Sequence, residues 1–116
     1  MSRIVHVDNS EFFRKLMKTF LSELGHESEN CSRGEDAVNK AKAGRADWVI
    51  TGMSLADMGG EEFVKRLAVS AQSVPVIVVT SSDDEAQHRR LEALGVKSVI
   101  QKSDDWKEQL ADKLAG

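Results

Sequence analysis

The chain has 116 residues, with 16 lysines and arginines, 19 aspartates and glutamates, and a formal net charge of −3. This length allows one domain with one hydrophobic core, and the charge gives none of the basic surface that binds a nucleic-acid backbone. Because no apolar run approaches the roughly 20 residues that cross a bilayer and the amino terminus has no secretory signal, we expect a cytoplasmic domain spanning 1–116, with neither a membrane nor a nucleic-acid partner.

The first predicted unit is a strand followed by a helix. The short apolar run 4–7 predicts the strand, and Asn9 or Ser10 can supply the N-cap of the helix. The helix carries an apolar stripe at helical spacing, formed by Phe13, Leu16, Met17, Phe20, Leu21 and Leu24. This stripe gives the helix one face to bury, and Gly25 ends it.

The same alternation continues to the end of the chain. In order, the pattern predicts a polar edge strand over 27–30, a helix over 34–43, a buried strand over 48–51, a loop over 52–60, a helix over 61–69, a strand over 74–80, a helix over 83–94, a strand over 98–101 and a helix over 105–114. Pro75 lies near the start of its strand, where its missing N–H does least harm. Five strands thus alternate with five helices.

This alternation predicts an α/β fold. Near-continuous apolar runs in the central strands indicate a doubly wound parallel sheet covered by helices on both faces, and right-handed crossovers leave few topologies. In such sheets the functional crevice lies beyond the carboxyl ends of the strands. The residues that follow the strands are Asp8, Asn9, Gly52, Met53, Thr80, Ser81 and Lys102.

Four sequence motifs contain these strand ends. They are HVDNS, DWVITGMSLADMGG, VPVIVVTSS and GVKSVIQKS. In this order and spacing they resemble the receiver domain of bacterial response regulators, of the CheY-like superfamily, and the resemblance runs from Arg3 to about Leu114. It implies a flavodoxin-like receiver fold, with five parallel strands in the order 2-1-3-4-5 and five helices.

In that family an aspartate after the third strand accepts a phosphoryl group, and a magnesium ion, a lysine and a hydroxyl group balance its charge. By this resemblance Asp8 matches the first of two metal-binding acids, whereas Asn9 replaces the second. Thr80 and Lys102 match the hydroxyl residue and the lysine. Gly52 replaces the acceptor aspartate, and glycine has neither a nucleophile nor a metal ligand. The resemblance therefore implies a degenerate phosphorylation pocket with no catalytic residue, no metal and no cofactor.

Other positions depart from the family in the same direction. Val99 stands where an aromatic switch residue precedes the lysine, and it is too small to swing between two states. Ser103 and Ala56 replace two common prolines. Ser54 would offer its backbone carbonyl to a metal. These departures imply a pocket released from phosphorylation.

Several of these residues also have simpler interpretations. Asp8 and Lys102 can form a structural ion pair at the mouth of the sheet, which we favour over an active role. His6 is expected to be a hydrogen-bonded buried histidine rather than a ligand. Asp57, in the flexible-looking loop SLADMGG, is disfavoured as a displaced acceptor because a loop carboxylate lacks preorganised charge around it. Thr80 can merely cap the turn into the fourth helix.

We interpret the sequence as a non-enzymatic pseudo-receiver, a phosphorylation-independent protein–protein interaction module in bacterial two-component signal transduction. Two alternatives stay open: a receiver phosphorylated at a non-standard residue, and a regulatory domain that binds a small anion or metabolite. The expected partner is another signalling protein, or a second copy in a homodimer, on the face formed by the fourth helix, fifth strand and fifth helix. The outward residues expected there are Arg89, Lys97, Val99, Gln101 and Lys107.

Overall fold

Five strands and five helices alternate along residues 2–115, the part of the chain that the computed structural model describes. The strands are β1 (Arg3–Val7), β2 (Glu27–Cys31), β3 (Trp48–Thr51), β4 (Val76–Thr80) and β5 (Ser98–Gln101). The helices are α1 (Glu11–Glu23), α2 (Gly34–Lys42), α3 (Gly60–Ser70), α4 (Glu85–Ala93) and α5 (Trp106–Ala115). Every predicted strand and helix is present, and none of these helices is long and apolar enough to cross a membrane.

The strands form one parallel sheet in the order β2-β1-β3-β4-β5. Helices α1 and α5 cover one face, and α2, α3 and α4 cover the other. The winding of the chain reverses between β1 and β3, which is where a doubly wound sheet opens its crevice. The predicted fold class and strand order are confirmed.

Side-chain caps fix the starts of two helices. The Ser10 hydroxyl accepts the N–H of Phe13 at 3.1 Å and begins α1, so Ser10 is the cap and the alternative, Asn9, is wrong. Asp84 accepts two N–H groups of the first turn of α4, so the predicted start at residue 83 is too early. Each cap satisfies amide groups that have no partner within the helix.

β4 begins two residues later than predicted. The N–H of Val74 donates to the carbonyl oxygen of Ala71 at 3.2 Å, in a turn that ends α3. Pro75 has no N–H to donate, although its carbonyl oxygen accepts the N–H of Val49 at 3.0 Å. Regular pairing with β3 therefore starts only at Val76.

Each face of the sheet has its own core. Under α2, α3 and α4 the buried residues are Val5, Val7, Ala37, Val38, Ala41, Val49, Leu55, Phe63, Val64, Leu67, Val76, Val78, Leu91 and Val96. Under α1 and α5 they are Ile4, Phe13, Met17, Leu21, Ile50, Ile77, Val79, Ile100, Leu110 and Leu114. Side chains alternate between the two faces along a strand. His6 and Asp8 therefore share the α1 side of β1 with Ile4.

The polar strand β2 forms one edge of the sheet, as predicted. Glu27 and Glu29 are exposed. Lys18 of α1 donates to the carbonyl oxygen of Ser28 at 2.7 Å, and Lys40 of α2 pairs with Glu29 at 3.0 Å. Long basic side chains from both flanking helices thus cover this edge.

Candidate functional site

Parallel strands bring the predicted site residues together at one end of the sheet. Asp8 follows β1 and Gly52 follows β3, and the N–H of Gly52 donates to the carbonyl oxygen of Val7 at 3.0 Å. Lys102 follows β5, and its N–H donates to the carbonyl oxygen of Thr80 at 2.7 Å. Asp8, Gly52 and Thr80 are buried, whereas Lys102 is partly exposed. These four residues form the strand-end pocket.

The carboxylate of Asp8 is held by two partners within the chain. Its Oδ1 atom accepts the backbone N–H of Ser10 at 2.8 Å, and its Oδ2 atom lies 3.7 Å from Nζ of Lys102. The side chain of Asp8 is 8% exposed and that of Lys102 is 26% exposed, so this ion pair is largely shielded from water. The predicted pairing of the two residues is confirmed.

Gly52 leaves room for the Asp8 carboxylate. A Cβ atom built on Gly52 would overlap Oδ2 of Asp8 and would lie 3.1 Å from its Cγ atom. Any side chain at position 52 therefore requires the Asp8 carboxylate to move. The backbone is close-packed as well, because a Cβ atom on Gly60 would lie 2.6 Å from the carbonyl oxygen of Gly52. The end of β3 is thus filled by the side chain of Asp8 and not by one of its own.

The ammonium group of Lys102 lies over an aromatic ring. Its Nζ atom is 3.7 Å from the centroid of the Phe13 ring, which is buried. That ring packs against Trp106 at 5.3 Å and against His6 at 5.8 Å between centroids. Helical spacing predicted Phe13 only as part of the apolar stripe of α1, because spacing does not distinguish a ring that contacts a lysine from ordinary core.

The residues of this pocket do not fit a magnesium ion. Magnesium prefers several hard, mostly anionic oxygen ligands, and the pocket offers one carboxylate, Asp8, which already pairs with Lys102. Asn9 is exposed, and its N–H donates to the carbonyl oxygen of Ser54 at 3.1 Å. Across residues 2–115, no three histidine, cysteine, aspartate or glutamate side chains are grouped so that they could hold a metal ion.

His6 is fully buried beside the pocket, but it is not hydrogen-bonded as predicted. Neither ring nitrogen has a hydrogen-bond partner among the described residues, and the same is true of Oδ1 of Asn30 on the neighbouring strand. Burial lowers the pKa of His6 to about 4, against the opposing effects of the Asp8 carboxylate and of the Asn30 side chain, which acts on the ring without reaching hydrogen-bond geometry. The ring is therefore neutral at pH 7, and the expectation of a hydrogen-bonded histidine is wrong.

Asp57 caps a helix in a loop that is tied down. Its two carboxylate oxygens accept the N–H groups of Gly34 at 2.6 Å and Glu35 at 3.1 Å, at the start of α2. Desolvation favours a higher pKa, but these N–H groups outweigh it and hold the pKa of Asp57 below its usual value. An antiparallel bridge also joins Ser54 to Gly59 across the loop. The expectation of a flexible loop here is wrong, because backbone and carboxylate hydrogen bonds fasten it.

Thr80 orders the turn after β4 without capping α4 itself. Its hydroxyl accepts the N–H of Ser82 at 3.1 Å, and the Ser82 hydroxyl in turn accepts the N–H of Asp84 at 3.2 Å. The interpretation of Thr80 as a turn residue fits these contacts, while the cap of α4 is Asp84.

The face predicted to bind a partner is only partly as expected. Arg89, Lys97 and Gln101 are exposed. Val99 is half-buried and packs against the core beneath α4, so it does not point outward. Lys107 is exposed as expected, and its Nζ atom lies 5.6 Å from the centroid of an aromatic ring on α1. The expectation of an outward side chain on this face is therefore wrong for Val99.

A family model described as "Response regulator receiver domain" matches residues 4–114. One curated relative is the protein-glutamate methylesterase/protein-glutamine glutaminase of Bacillus licheniformis, 29% identical over 85% of this chain. Others are the alkaline phosphatase synthesis transcriptional regulatory protein PhoP of Bacillus subtilis, 28% identical over 72% of this chain, and the sensor histidine kinase RcsC of Escherichia coli, 26% identical over 85%. The matches span 28%, 35% and 10% of those relatives.

Two solved structures with a similar fold have sequence identities to this chain close to those of the curated relatives. The chemotaxis response regulator CheY4 of Vibrio cholerae superposes with a TM-score of 0.86 and 26% identity, over 99% of this chain and 97% of that chain. The response regulator TrrA of Thermotoga maritima, solved in complex with Mg²⁺-BeF, superposes with a TM-score of 0.86 and 25% identity, over the same shares of the two chains.

Proposed function

The chain belongs to the response regulator receiver domain family of two-component signalling, and we propose that it acts there as a pseudo-receiver, a phosphorylation-independent protein–protein interaction module. The observation that carries this proposal is the Asp8 carboxylate, which occupies the space beside Gly52 that a phosphate-accepting side chain would need. We further propose that residues 1–116 form one receiver-like domain of this kind, cytoplasmic and without enzymatic activity.

The charges of the strand-end pocket support this proposal. Phosphoryl transfer depends on positive charge and hydrogen-bond donors placed around three anionic oxygens. Here the Lys102 ammonium faces Oδ2 of Asp8, and Oδ1 takes the N–H of Ser10. A phosphoryl group beside Gly52 would have no carboxylate to carry it and would meet the negative charge of Asp8. The charges of Asp8 and Lys102 thus balance each other without a phosphoryl group.

Intact-mass spectrometry after incubation with acetyl phosphate and Mg²⁺ tests the proposal. We expect no phosphoryl adduct under conditions in which a receiver with an acceptor aspartate is modified. An adduct would overturn the proposal and favour a receiver phosphorylated at a non-standard residue, which fragment mapping would locate. Asp57 is poorly placed to take up a phosphoryl group, because both of its carboxylate oxygens are hydrogen-bonded to N–H groups of α2.

Tryptophan fluorescence tests whether the pocket binds a metal or a small anion. Trp106 reports on the pocket because its ring lies 5.3 Å from that of Phe13, which contacts Lys102. Trp48 lies at the amino end of β3, away from the pocket, so a Trp48→Phe variant isolates the signal. We expect no saturable change on titration with Mg²⁺ or inorganic phosphate. A saturable change with Mg²⁺ that Asp8→Ala abolishes, or with phosphate that Lys102→Ala abolishes, would contradict the proposal.

We propose that the partner binds around Arg89, Lys97, Gln101 and Lys107, the residues of the predicted face that are exposed. The partner is another signalling protein or a second copy of the chain. Because exposed basic side chains act mainly through long-range attraction, binding should weaken moderately as salt rises. Because Gly52 has no side chain to accept a phosphoryl group, we expect binding not to respond to a phosphodonor.

Charge reversal tests this surface. The variant Arg89→Glu with Lys97→Glu is compared with Lys42→Glu with Lys65→Glu, which reverses two exposed lysines on α2 and α3. Sedimentation velocity measures self-association, and capture from lysate of the source cells measures a different protein partner. We expect only the first variant to lose binding, at an unchanged melting temperature. Undiminished binding would move the site to another face, with the loop 54–59 as the next candidate.

A further inference from the structure

Lys102 has two partners in the strand-end pocket, a carboxylate and an aromatic ring. Its Nζ atom lies 3.7 Å from Oδ2 of Asp8 and 3.7 Å from the centroid of the Phe13 ring. Both partners are buried. The negative face of a ring attracts an ammonium group, and the attraction strengthens where water is excluded.

We propose that Asp8 and Phe13 form a binding site for a primary ammonium group, which the chain fills with its own Lys102, and that this internal ligand ties the segment after β5 to α1. Phe13 is the positioning residue of the site. The inference deepens the proposed function and rests on it only for its consequence in signalling: a pocket that already holds its own cation has no need of a metal ion.

The surroundings of Phe13 preorganise the site. Trp106 and His6 pack against the ring and fix its orientation. His6 is neutral at pH 7, so it adds no positive charge that would compete with the ammonium group. The Lys102 backbone is anchored by its N–H bond to the carbonyl oxygen of Thr80. Ring, carboxylate and lysine backbone are therefore all held before the ammonium group binds.

Lys107 provides an internal contrast, because it approaches rings without a carboxylate. Its Nζ atom lies 5.6 Å from the Phe20 centroid and 5.8 Å from the Trp106 centroid. Among the ion pairs of residues 2–115, none includes Lys107. An exposed lysine at this distance from a ring gains little, so Lys107 serves as the reference for an ammonium group that is not held.

Quantitative amine labelling of the folded protein, read by peptide mass spectrometry, tests the site. In the unsubstituted chain we expect Lys102 to react roughly tenfold more slowly than Lys107. Phe13→Leu keeps an apolar side chain but removes the ring, and it should raise the Lys102 rate several-fold. Phe13→Tyr keeps the ring and should leave the rate low. Phe20→Leu removes a ring that contacts Lys107 and Trp106 but not Lys102, and it should not change the Lys102 rate.

These variants separate positioning from simple packing. If Phe13 only fills the core, Phe13→Leu lowers the melting temperature without a selective change at Lys102. That result would overturn the proposal, as would equal acceleration by Phe13→Leu and Phe13→Tyr.

Chemical rescue tests the same site without a substitution of Phe13. Lys102→Ala deletes the part of the side chain that n-propylammonium reproduces. We expect n-propylammonium chloride to raise the melting temperature of Lys102→Ala in a saturable manner, whereas sodium chloride at equal ionic strength and 1-propanol should not. The rise should be absent in the unsubstituted chain, and it should be lost in Lys102→Ala combined with Phe13→Leu.

Rescue no greater than with sodium chloride would overturn the proposal, and so would equal rescue in the double variant. Neither experiment uses a phosphodonor or a partner protein. Failure of the ammonium site would therefore leave the phosphorylation test standing, and an unexpected phosphoryl adduct would leave the ammonium site to be judged on its own results.

Discussion

The two faces of the sheet are built from different kinds of side chains. Under α2, α3 and α4 the buried side chains are apolar apart from two uncharged threonines, Thr51 and Thr80. On the α1 side the chain buries His6 and Asp8, the only two ionisable side chains among the buried residues of 2–115, and places Lys102 over the Phe13 ring. The packing of side chains that do not ionise is independent of pH, whereas buried ionisable groups depend on pH and on neighbouring charges. The difference indicates that the stability of this domain depends on pH mainly through the α1 face.

A drop in pH should give the largest effect, because it acts on the ionisable groups of the α1 face and not on the opposite face. Burial holds the pKa of His6 at about 4 in the folded chain, and the unfolded chain returns it to about 6.5. As the pH falls below about 6.5, His6 takes up a proton in the unfolded state but not yet in the folded state. The free energy of unfolding therefore decreases as the pH falls from about 6.5 to about 4. We expect the free energy of unfolding to decrease by about 2 kcal/mol between pH 7 and pH 5, as measured by urea denaturation.

Histidine variants identify the source of this pH dependence. His6→Leu should abolish the loss, and it should not destabilise strongly because the ring nitrogens of His6 have no described partners. His26→Gln and His88→Gln remove the other two histidines and should keep the loss. A pH dependence that survives His6→Leu would show that the α1 face is not its origin.

The second test adds one methyl group at either end of the β3–α3 loop. Gly52→Ala places a Cβ atom on the Asp8 carboxylate, whereas a Cβ atom on Gly59 meets nothing within 4 Å. We expect Gly52→Ala to lower the free energy of unfolding by about 1 to 3 kcal/mol, and Gly59→Ala, at the N-cap of α3, to lower it by less than about 1 kcal/mol. Equal effects would mean that Asp8 relaxes at no cost. Gly52→Asp should suffer the same displacement and should not restore phosphorylation-driven change.

A double-mutant cycle measures the third effect, the ion pair itself. Asp8→Ala and Lys102→Ala should each destabilise by about 1 to 2 kcal/mol, since the pair is largely but not fully buried. Their coupling energy should be about 1 kcal/mol. Denaturation of the four proteins in one buffer gives the value, and strict additivity would show that the two charges do not interact.

The smallest expected effect lies on the opposite face, at the start of α2. Asp57→Ala removes the acceptor of two N–H groups and should lower the melting temperature by a few degrees, while Asp57→Asn, which keeps one carboxamide oxygen, should lower it less. The loss should not depend on any substitution in the strand-end pocket. Strong coupling between Asp57→Ala and Lys102→Ala would connect two faces that the structure separates.

Local sequence patterns were sufficient for the elements of this fold. The apolar runs, the Ser10 cap and the glycine that ends α1 predicted strands and helices directly, since these signals act between near neighbours. The strand-end residues Asp8, Gly52, Thr80 and Lys102 were also found, because parallel strands must bring their carboxyl ends together. The pairing of Asp8 with Lys102 followed from opposite charges placed at one end of the sheet.

The contacts that the sequence did not predict are those between distant segments. Asp57 caps α2 from 23 positions away. Arg33, which precedes that helix, provides no side-chain cap. A helix start without a local cap was the one sequence signal that a distant residue caps it. Phe13 has the spacing of a core residue, so its contact with Lys102 emerged only once α1 and β5 were packed. His6 was predicted to be buried, but the absence of a partner depends on how every neighbour packs.

The covered edge at β2 has a consequence for how copies of this chain meet. An edge strand presents unpaired backbone groups that can continue the sheet into a second molecule, and natural proteins block this with charge and with lysine side chains laid over the edge. Lys18 already donates a hydrogen bond to the carbonyl oxygen of Ser28. The exposed carboxylates of Glu27 and Glu29 would repel the same residues on an incoming copy. Substituting Lys18 would free one backbone acceptor for a strand from outside, so we expect a helix that is not itself in the sheet to help keep copies of the chain from pairing edge to edge.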